Sequence, residues 1–120
     1  LLKSKFLSAK NVIIFARPLS MQRAIINLID NALKYGRKAN VSLQADSQKA
    51  SIIIYDYGNS ESVENLTHLT VPFKRGENAK NIKGMGIGLA IVSTIAEQHG
   101  GNLSFDKWEQ GLCAILSIPR

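Results

Sequence analysis

The stretch from Ser20 to Gly36 reads SMQRAIINLIDNALKYG and predicts one amphipathic helix. Its apolar side chains recur at intervals of three and four residues, which places them on one face of a helix. These core-facing positions are Ala24, Ile25, Leu28, Ile29, Ala32 and Leu33. Ser20 is suited to cap the start of the helix, with Arg17 and Pro18 outside it, and Gly36 is suited to close the end.

The same helix carries four side chains that together could form a ligand site. Asn27 and Asn31 lie four residues apart, one above the other on the helix surface, and Lys34 and Tyr35 complete the next turn. Asparagine is a mediocre residue for a helix interior because its amide competes for backbone hydrogen bonds. Amide oxygens can bind a hard cation, a lysine can bind phosphate, and an aromatic ring can pack on a base. Solvated polar positions beside the apolar stripe are the alternative interpretation.

The composition is that of one soluble globular domain. The chain has 120 residues, 45% hydrophobic and 20% charged, and no apolar run of the roughly 20 residues that a membrane span needs. The N-terminal residues lack the form of a signal peptide. The single cysteine, Cys113, is expected to be a buried thiol in a reducing compartment. The net charge of +6 suits nucleic acid, anionic lipid or nucleotide phosphates, and charge alone does not choose among them.

Hydrophobic patterning divides the rest of the chain into short elements. Residues 1–11 have no clear pattern, and Val12–Phe15 is a short β-type run. The other predicted elements are the strands Val41–Ala45, Ser51–Tyr55, Asn102–Lys107 and Leu112–Ile118 and the helices Ser62–Leu69, capped by Ser62, and Leu89–His99. The last four strands pair as two hairpins. About three helices and five strands predict an α/β (α+β) two-layer sandwich, with the helices on one face of a mixed, mainly antiparallel five-stranded sheet.

Two further segments carry chemistry near the ends of predicted elements. Gly84, Gly86 and Gly88 open a helix, where backbone N–H groups and the helix dipole favour phosphate, although their spacing fits neither a Rossmann fingerprint nor a P-loop. A purely structural capping loop is the alternative. Asp56 ends a buried strand and Gly58 follows it, so the carboxylate can accept a hydrogen bond from an exocyclic amine such as that of adenine. An ordinary turn aspartate is the alternative.

Four segments in register resemble the sequence boxes of sensor histidine kinases. They are Asn27–Tyr35 for the N box, Asp56–Gly58 for the G1 box, Val71–Gly76 for the F box and Gly84–Val92 for the G2 box. Their order and spacing fit the family from about Arg17 to Pro119, and Arg17–Ala24 and Arg75–Ala79 are similar to the EnvZ-type osmosensor branch. The resemblance implies a Bergerat fold of the GHKL superfamily, shared with DNA gyrase, Hsp90 and MutL. It also implies that residues 1–120 form a single ATP-binding catalytic domain.

The resemblance also implies roles for individual residues in binding ATP and Mg²⁺. Asn31 would bind Mg²⁺ with Asn27 assisting, Lys34 would pair with phosphate, and Tyr35 would pack near the base. Asp56 would accept the amino group of adenine and so select ATP over GTP.

An ATP lid is implied at residues 74–83, from which Arg75 would reach the γ-phosphate. The lid hinge and further phosphate contacts would come from Gly84, Gly86 and Gly88. The remaining nucleotide-binding residues would be Gly58, Phe73 and Leu89.

The implied reaction is transfer of the ATP γ-phosphoryl group to a histidine in a separate dimerisation domain. Asn27 stands where ATP-hydrolysing relatives have a glutamate, and an asparagine activates water poorly, so transfer is favoured over hydrolysis. His68 and His99 do not resemble the acceptor motif and are expected to be structural. We therefore expect a mainly monomeric, cytoplasmic fragment of a longer kinase of the bacterial inner membrane, which serves a response regulator. The fragment itself is expected to contact neither nucleic acid nor membrane.

The G1 segment departs from the family pattern because Ser60 replaces a second glycine. If that position needs a positive φ, Ser60 strains the turn by roughly 1 kcal/mol or more. Two alternative functions stay open. One is a degenerate module of the same fold, with weak or no nucleotide binding, that acts in protein interaction, and the other is a serine kinase of the anti-sigma type.

Overall fold

In the part of the chain that the structure describes, the fold is built on a sheet of five strands. The computed structural model describes residues 6–8, 13–58, 62–70 and 87–120 of the chain. Within them the strands are β1 (Phe6–Ser8), β2 (Ala39–Ala45), β3 (Lys49–Asp56), β4 (Asn102–Trp108) and β5 (Gly111–Pro119). The helices of the described residues are α1 (Pro18–Tyr35), α2 (Val63–Leu69) and α3 (Ile87–Gln98).

The central strand is β3, in a sheet of order β1-β2-β3-β5-β4. β1 runs parallel to β2, and every other neighbouring pair of these strands is antiparallel. Connections of three residues between β2 and β3 and of two residues between β4 and β5 allow only an antiparallel return. The predicted hairpins and the mixed, mainly antiparallel sheet are therefore confirmed.

The three helices cover one face of the sheet and form one hydrophobic core with it. Even-numbered side chains of β3 and β5 point into this core, because successive strand residues alternate between the two faces. The largest fully buried side chains are Leu28, Ile54, Leu89, Val92, Leu112, Leu116 and Ile118. Burying each of them stabilises the fold by about 1.5–3 kcal/mol.

The apolar stripe of α1 is confirmed at most of its predicted positions. Ala24, Leu28 and Ala32 are buried, and Ile25 and Ile29 pack against the core. Gly36 closes the helix by donating its N–H to the Ala32 carbonyl oxygen, 2.8 Å away. Leu33 is 36% exposed, so its predicted place in the core is wrong. Consecutive helical residues are rotated by about 100°, and this turns Leu33 away from the face that Ala32 buries.

The start of α1 differs from the prediction, because the helix begins at Pro18 and not at Ser20. Proline suits the first helical position since the N–H that it lacks would have no partner inside the helix. Arg17 precedes the helix without a side-chain cap, and its backbone N–H donates to Nε2 of His99, 3.0 Å away. Nδ1 of His99 in turn donates to the Ile95 carbonyl oxygen, 2.7 Å away. His99 thus joins the start of α1 to the end of α3, the structural role expected of it.

The segment before α1 also differs from the prediction. A strand over Val12–Phe15 is wrong: residues 13–17 have no regular structure, and Phe15 is 93% exposed. A β-branched run favours a strand only where a neighbouring strand is available for pairing. The first strand is instead Phe6–Ser8, within residues 1–11, and three residues are too few to display a period of two.

The other two helices lie close to their predicted bounds. Ser62 caps α2 through its Oγ, which accepts the N–H of Asn65 at 3.0 Å. α3 begins two residues before the predicted start at Leu89 and ends one residue before His99. Gly100 follows with a φ of +78°, the left-handed geometry that commonly ends helices.

Candidate functional site

Asp56 ends strand β3 with its carboxylate on the helix-covered side of the sheet, and it is only 7% exposed. Oδ1 of the carboxylate accepts the backbone N–H of Leu112 at 2.9 Å. The backbone oxygen of Asp56 accepts the indole N–H of Trp108, also at 2.9 Å. A buried carboxylate is costly without such donors. Both donors belong to the β4–β5 hairpin, which therefore holds the main chain and the side chain of Asp56.

Two glycines allow the hairpin to approach Asp56 this closely. A Cβ on Gly111 would stand 2.4 Å from the Asp56 backbone oxygen and 2.8 Å from its Oδ1, so no other residue fits there without movement. Gly58 has a φ of +90° and donates its N–H to the Gln110 carbonyl oxygen at 2.8 Å. The positive φ favours glycine and turns the chain back toward the hairpin.

A cavity of about 20 Å³ lies between the helices and the sheet beside Asp56. Its described walls are Leu28, Asn31, Ala32, Ile54, Asp56, Leu66, Leu89, Phe105, Leu112, Cys113 and Ala114. Most of these residues are apolar, and the charged or amide side chains among them are those of Asn31 and Asp56. Mostly apolar walls with a few polar groups are common in ligand sites, but about 20 Å³ is room for roughly one water molecule, so a nucleotide base requires these walls to move apart.

The predicted site residues of α1 differ in how buried they are and in whether they line the cavity. Asn31 lines the cavity, and Asn27 is half-buried one turn earlier. Lys34 is exposed in the last turn of the helix. Tyr35 is the last residue of α1, but its side chain lies outside the description.

The start of α3 supplies two more of the predicted residues. Leu89 is buried and lines the cavity, whereas a Cβ on Gly88 would meet nothing within 4 Å. The remaining predictions fall outside the described residues. They concern Ser60, Phe73, Arg75, the lid at 74–83, Gly84 and Gly86.

An aromatic cluster next to Asp56 is not apparent from the sequence. Trp108 makes edge-on contacts with Tyr55 and Tyr57, at ring-centroid distances of 5.2 and 4.9 Å. Tyr57 also receives the side-chain N–H of Asn40 on its hydroxyl, and Nζ of Lys38 lies 4.5 Å from its ring centre. The predicted hairpin at residues 102–118 was the only available signal for this cluster, because no local pattern pairs residue 108 with residues 55–57.

Cys113 is buried on β5, as predicted for a thiol. Burial, followed by the nearby Asp106 carboxylate, raises the pKa of Cys113. The thiol therefore stays protonated in neutral solution and contributes as a small apolar side chain.

The sequence matches a known family over almost its whole length. Residues 16–120 fit the model for the histidine kinase-, DNA gyrase B- and HSP90-like ATPases, and the chain belongs to this family. Sensor histidine kinase GtrS of Pseudomonas aeruginosa is 36% identical over 105 residues, which are 87% of this chain and 22% of GtrS. This chain therefore spans about a fifth of the length of that curated relative.

Solved structures place the chain within one branch of that family. The histidine kinase domain of the E. coli osmosensor EnvZ is 33% identical, with a TM-score of 0.72 over 98% of this chain and 74% of that chain. The catalytic domain of histidine kinase ThkA has the same fold, with a TM-score of 0.81 and 24% identity over 98% of this chain and 80% of that one. The resemblance to sensor histidine kinases is confirmed. Within those kinases, the part that this chain matches is the ATP-binding catalytic domain.

In the part of the chain that the structure describes, no helix has the length and apolar character needed to cross a membrane.

Proposed function

We propose that this chain binds Mg-ATP beside Asp56 and transfers its γ-phosphoryl group to a histidine on the dimerisation domain of the same kinase. The observation that carries the proposal is the placement of Asp56 and Asn31 on one apolar cavity. One of these groups suits the base of ATP and the other suits the metal that accompanies its phosphates.

Recognition of the base follows from the chemistry of a carboxylate. An ionised carboxylate offers about four acceptor positions, so the bond from Leu112 to Oδ1 is compatible with a further donor from a ligand. Adenine presents an amino group, whereas guanine presents a carbonyl oxygen at the equivalent ring position. Guanine would therefore set acceptor against acceptor at Asp56, and ATP is preferred over GTP. The apolar walls, such as Leu28 and Leu89, exclude water from this contact.

The phosphate end of the site is assigned to α1 and to the lid. The amide oxygen of Asn31 would hold Mg²⁺ with help from Asn27, and Lys34 would pair with phosphate. When bound, the magnesium ion neutralises phosphate charge, which is the main electrostatic requirement of phosphoryl transfer. The residues proposed to act from the lid and its hinge are Phe73, Arg75, Gly84, Gly86 and Gly88. Tyr35, Gly58 and Leu89 complete the proposed nucleotide contacts.

The side chain at position 27 favours transfer to a protein acceptor over hydrolysis. An amide cannot accept a proton from water near neutral pH, so Asn27 would not act as a general base. The proposed partners are the histidine-containing dimerisation domain and, through the full-length kinase, a response regulator. The proposed location is the cytoplasmic side of the bacterial inner membrane.

A calorimetric titration with ATP, ADP and GTP, each with and without Mg²⁺, tests the nucleotide site. We expect adenine nucleotides to bind in a magnesium-dependent manner and GTP to bind far more weakly. A folded sample that binds none of them would contradict the proposal and favour a protein-interaction module with a disabled G1 segment.

The metal role of Asn31 is tested by Asn31→Ala, with Gln22→Ala as the control. Gln22 is an exposed amide near the start of the same helix and lies away from the cavity. We expect Asn31→Ala to lose the magnesium dependence of ATP affinity and Gln22→Ala to retain it. Equal magnesium dependence in both variants would refute the ligand role of Asn31.

The acceptor is tested by incubating the chain and labelled ATP with two separate proteins. One protein is a histidine-containing dimerisation domain, and the other is a serine-containing substrate of an anti-sigma kinase. Acid-labile label on the first supports the proposal, whereas acid-stable label on the second would make the chain a serine kinase.

A further inference from the structure

Trp108 contacts three consecutive residues at the end of strand β3. Its indole N–H donates to the backbone oxygen of Asp56 at 2.9 Å. Its ring makes edge-on contacts with Tyr55 and Tyr57, the residues immediately before and after Asp56 in the sequence. An aromatic pair contributes about 0.5–1.5 kcal/mol beyond the area that it buries. One side chain thus restrains the backbone on both sides of the carboxylate that is proposed to read adenine.

The contacts of Trp108 come from the side of the sheet opposite the cavity. Trp108 pairs with Gly111, and Tyr55 pairs with Cys113, which places their side chains on the face that the described helices leave uncovered. The carboxylate of Asp56 points to the other face, where it lines the cavity. Trp108 is not among the described cavity walls, so it would act on a nucleotide only through Asp56.

We infer that Trp108 is a positioning residue for nucleotide selection, an inference that rests on the proposed function. The indole N–H fixes the backbone oxygen of Asp56 and the Leu112 N–H fixes Oδ1, so one hairpin holds this residue at its main chain and at its carboxylate. With both points fixed, the carboxylate keeps one direction before the nucleotide arrives. A site held in this way discriminates adenine from guanine better than a carboxylate that can rotate.

The substitution Trp108→Phe removes the indole N–H and keeps an aromatic ring between the two tyrosines. We expect it to weaken ATP affinity about fivefold, the factor that corresponds to one hydrogen bond of ordinary net strength. GTP affinity is expected to stay unchanged, because GTP gains nothing from an oriented carboxylate. The ratio of ATP to GTP affinity therefore falls, which a general loss of stability would not produce.

The amide of Leu112 gives a readout that needs no nucleotide. Its N–H donates to Oδ1 of Asp56, and its NMR chemical shift reports the orientation of that carboxylate. Lys49 is the matched control, because its N–H donates to an aspartate carboxylate, that of Asp46, at the opposite end of β3. In Trp108→Phe we expect the Leu112 resonance to move and the Lys49 resonance to stay in place.

The two measurements separate this inference from the proposed function. An unchanged Leu112 resonance overturns the positioning role whether or not ATP binds. A shifted Leu112 resonance with an unchanged ATP to GTP ratio overturns it as well. If the unmodified chain binds no adenine nucleotide, the proposed function fails, while the Leu112 resonance still decides whether Trp108 orients Asp56.

A further test uses the unmodified chain and does not depend on the folding of a variant. Trp108 is the only tryptophan of the chain, so its indole N–H gives a single NMR signal. We expect saturating ATP to shift this signal and GTP to leave it in place. A signal that ATP leaves unmoved in a chain that binds ATP would overturn the inference.

Discussion

The two ends of strand β3 each have an aspartate that accepts backbone N–H groups, but their surroundings differ. Asp46 stands in the turn before the strand and is exposed, and its Oδ1 accepts the N–H groups of Gln48 and Lys49, both at 2.8 Å. Asp56 stands at the other end, is buried, and accepts the N–H of Leu112. One carboxylate is satisfied by its own turn and the other by a hairpin 56 residues further along the chain.

This difference separates a structural aspartate from one that is suited to a ligand. Asp46 replaces the water that an exposed turn would otherwise bind, and many sequences could close that turn. Asp56 is buried, and removing a carboxylate from water is costly unless protein contacts or a ligand satisfy its oxygens. The same residue type therefore serves local folding at one end of β3 and recognition at the other.

The largest expected effect comes from making the same substitution at both ends. Asp56→Asn can still accept the Leu112 N–H through its amide oxygen, but its amide nitrogen would face the amino group of adenine, donor against donor. We expect a loss of ATP affinity of about 3 kcal/mol, or roughly 100-fold, in a chain that remains folded. Asp46→Asn is expected to bind ATP as the unmodified chain does. Equal affinities of the two variants in calorimetry would remove the distinction between the two ends.

The next largest expected effect is a loss of stability when the packing of the β4–β5 hairpin against Asp56 is disturbed. Gly111→Ala would place a Cβ 2.4 Å from the Asp56 backbone oxygen, so the hairpin must move. We expect urea unfolding to show a loss of about 1–3 kcal/mol. Gly88→Ala is the control, because its Cβ meets nothing within 4 Å and alanine favours a helix by roughly 0.5–1 kcal/mol. A Gly111→Ala variant as stable as Gly88→Ala would contradict the close packing of the hairpin against Asp56.

The alkylation rate of Cys113 measures how tightly the β4–β5 hairpin packs at the Asp56 end of β3. Burial raises the pKa of its thiol and also hinders the approach of a reagent. We expect alkylation in the folded chain to be at least about tenfold slower than in urea, because the thiolate is the reactive form. Gly111→Ala is expected to accelerate the reaction by loosening the hairpin. Mass spectrometry over time measures both rates, and equally fast labelling of the folded and unfolded chain would show that this end is open.

The smallest expected effect belongs to Asp46. The N–H groups of Gln48 and then Lys49 lower its pKa in the folded chain, so the ionised form stabilises the fold. That contribution is complete above the unfolded-state pKa of about 3.9 and is lost as the pH falls through the lower folded-state pKa. Thermal unfolding of Asp46→Asn in mildly to strongly acidic solution is therefore expected to depend slightly less on pH. A steeper acid dependence in the variant would contradict the sign of this effect.

Local pattern was sufficient to predict most of the framework. The period of α1, the two hairpins and the Ser62 cap depend on residues a few positions apart, and each is present. The prediction also placed Asp56 at the end of a buried strand, where the structure has it. It was wrong for Val12–Phe15, because a β-branched run forms a strand only where a pairing partner is available. It was also wrong for the start of α1, because Pro18 suits the first helical position.

The parts of the site that could not be predicted depend on contacts between distant residues. Trp108 and Asp56 are 52 positions apart, and no periodicity connects them. Gly111 directly follows the two-residue hairpin turn, where the sequence suggests a glycine that the turn requires and not one that allows close approach to another strand. Leu66 and Phe105 also line the cavity, but in the sequence they look like ordinary core residues, because only the packing of the helices on the sheet brings them together.

The bond from Arg17 to His99 has a consequence for the chemistry proposed for this domain. A backbone N–H can only donate, so Nε2 of His99 must offer its lone pair to Arg17, and Nδ1 carries the proton that is donated to Ile95. Attack on a phosphorus atom requires a free ring lone pair, and this imidazole has none to offer while α1 and α3 stay joined. Under the proposed function, His99 therefore remains unphosphorylated for as long as its two hydrogen bonds join α1 to α3.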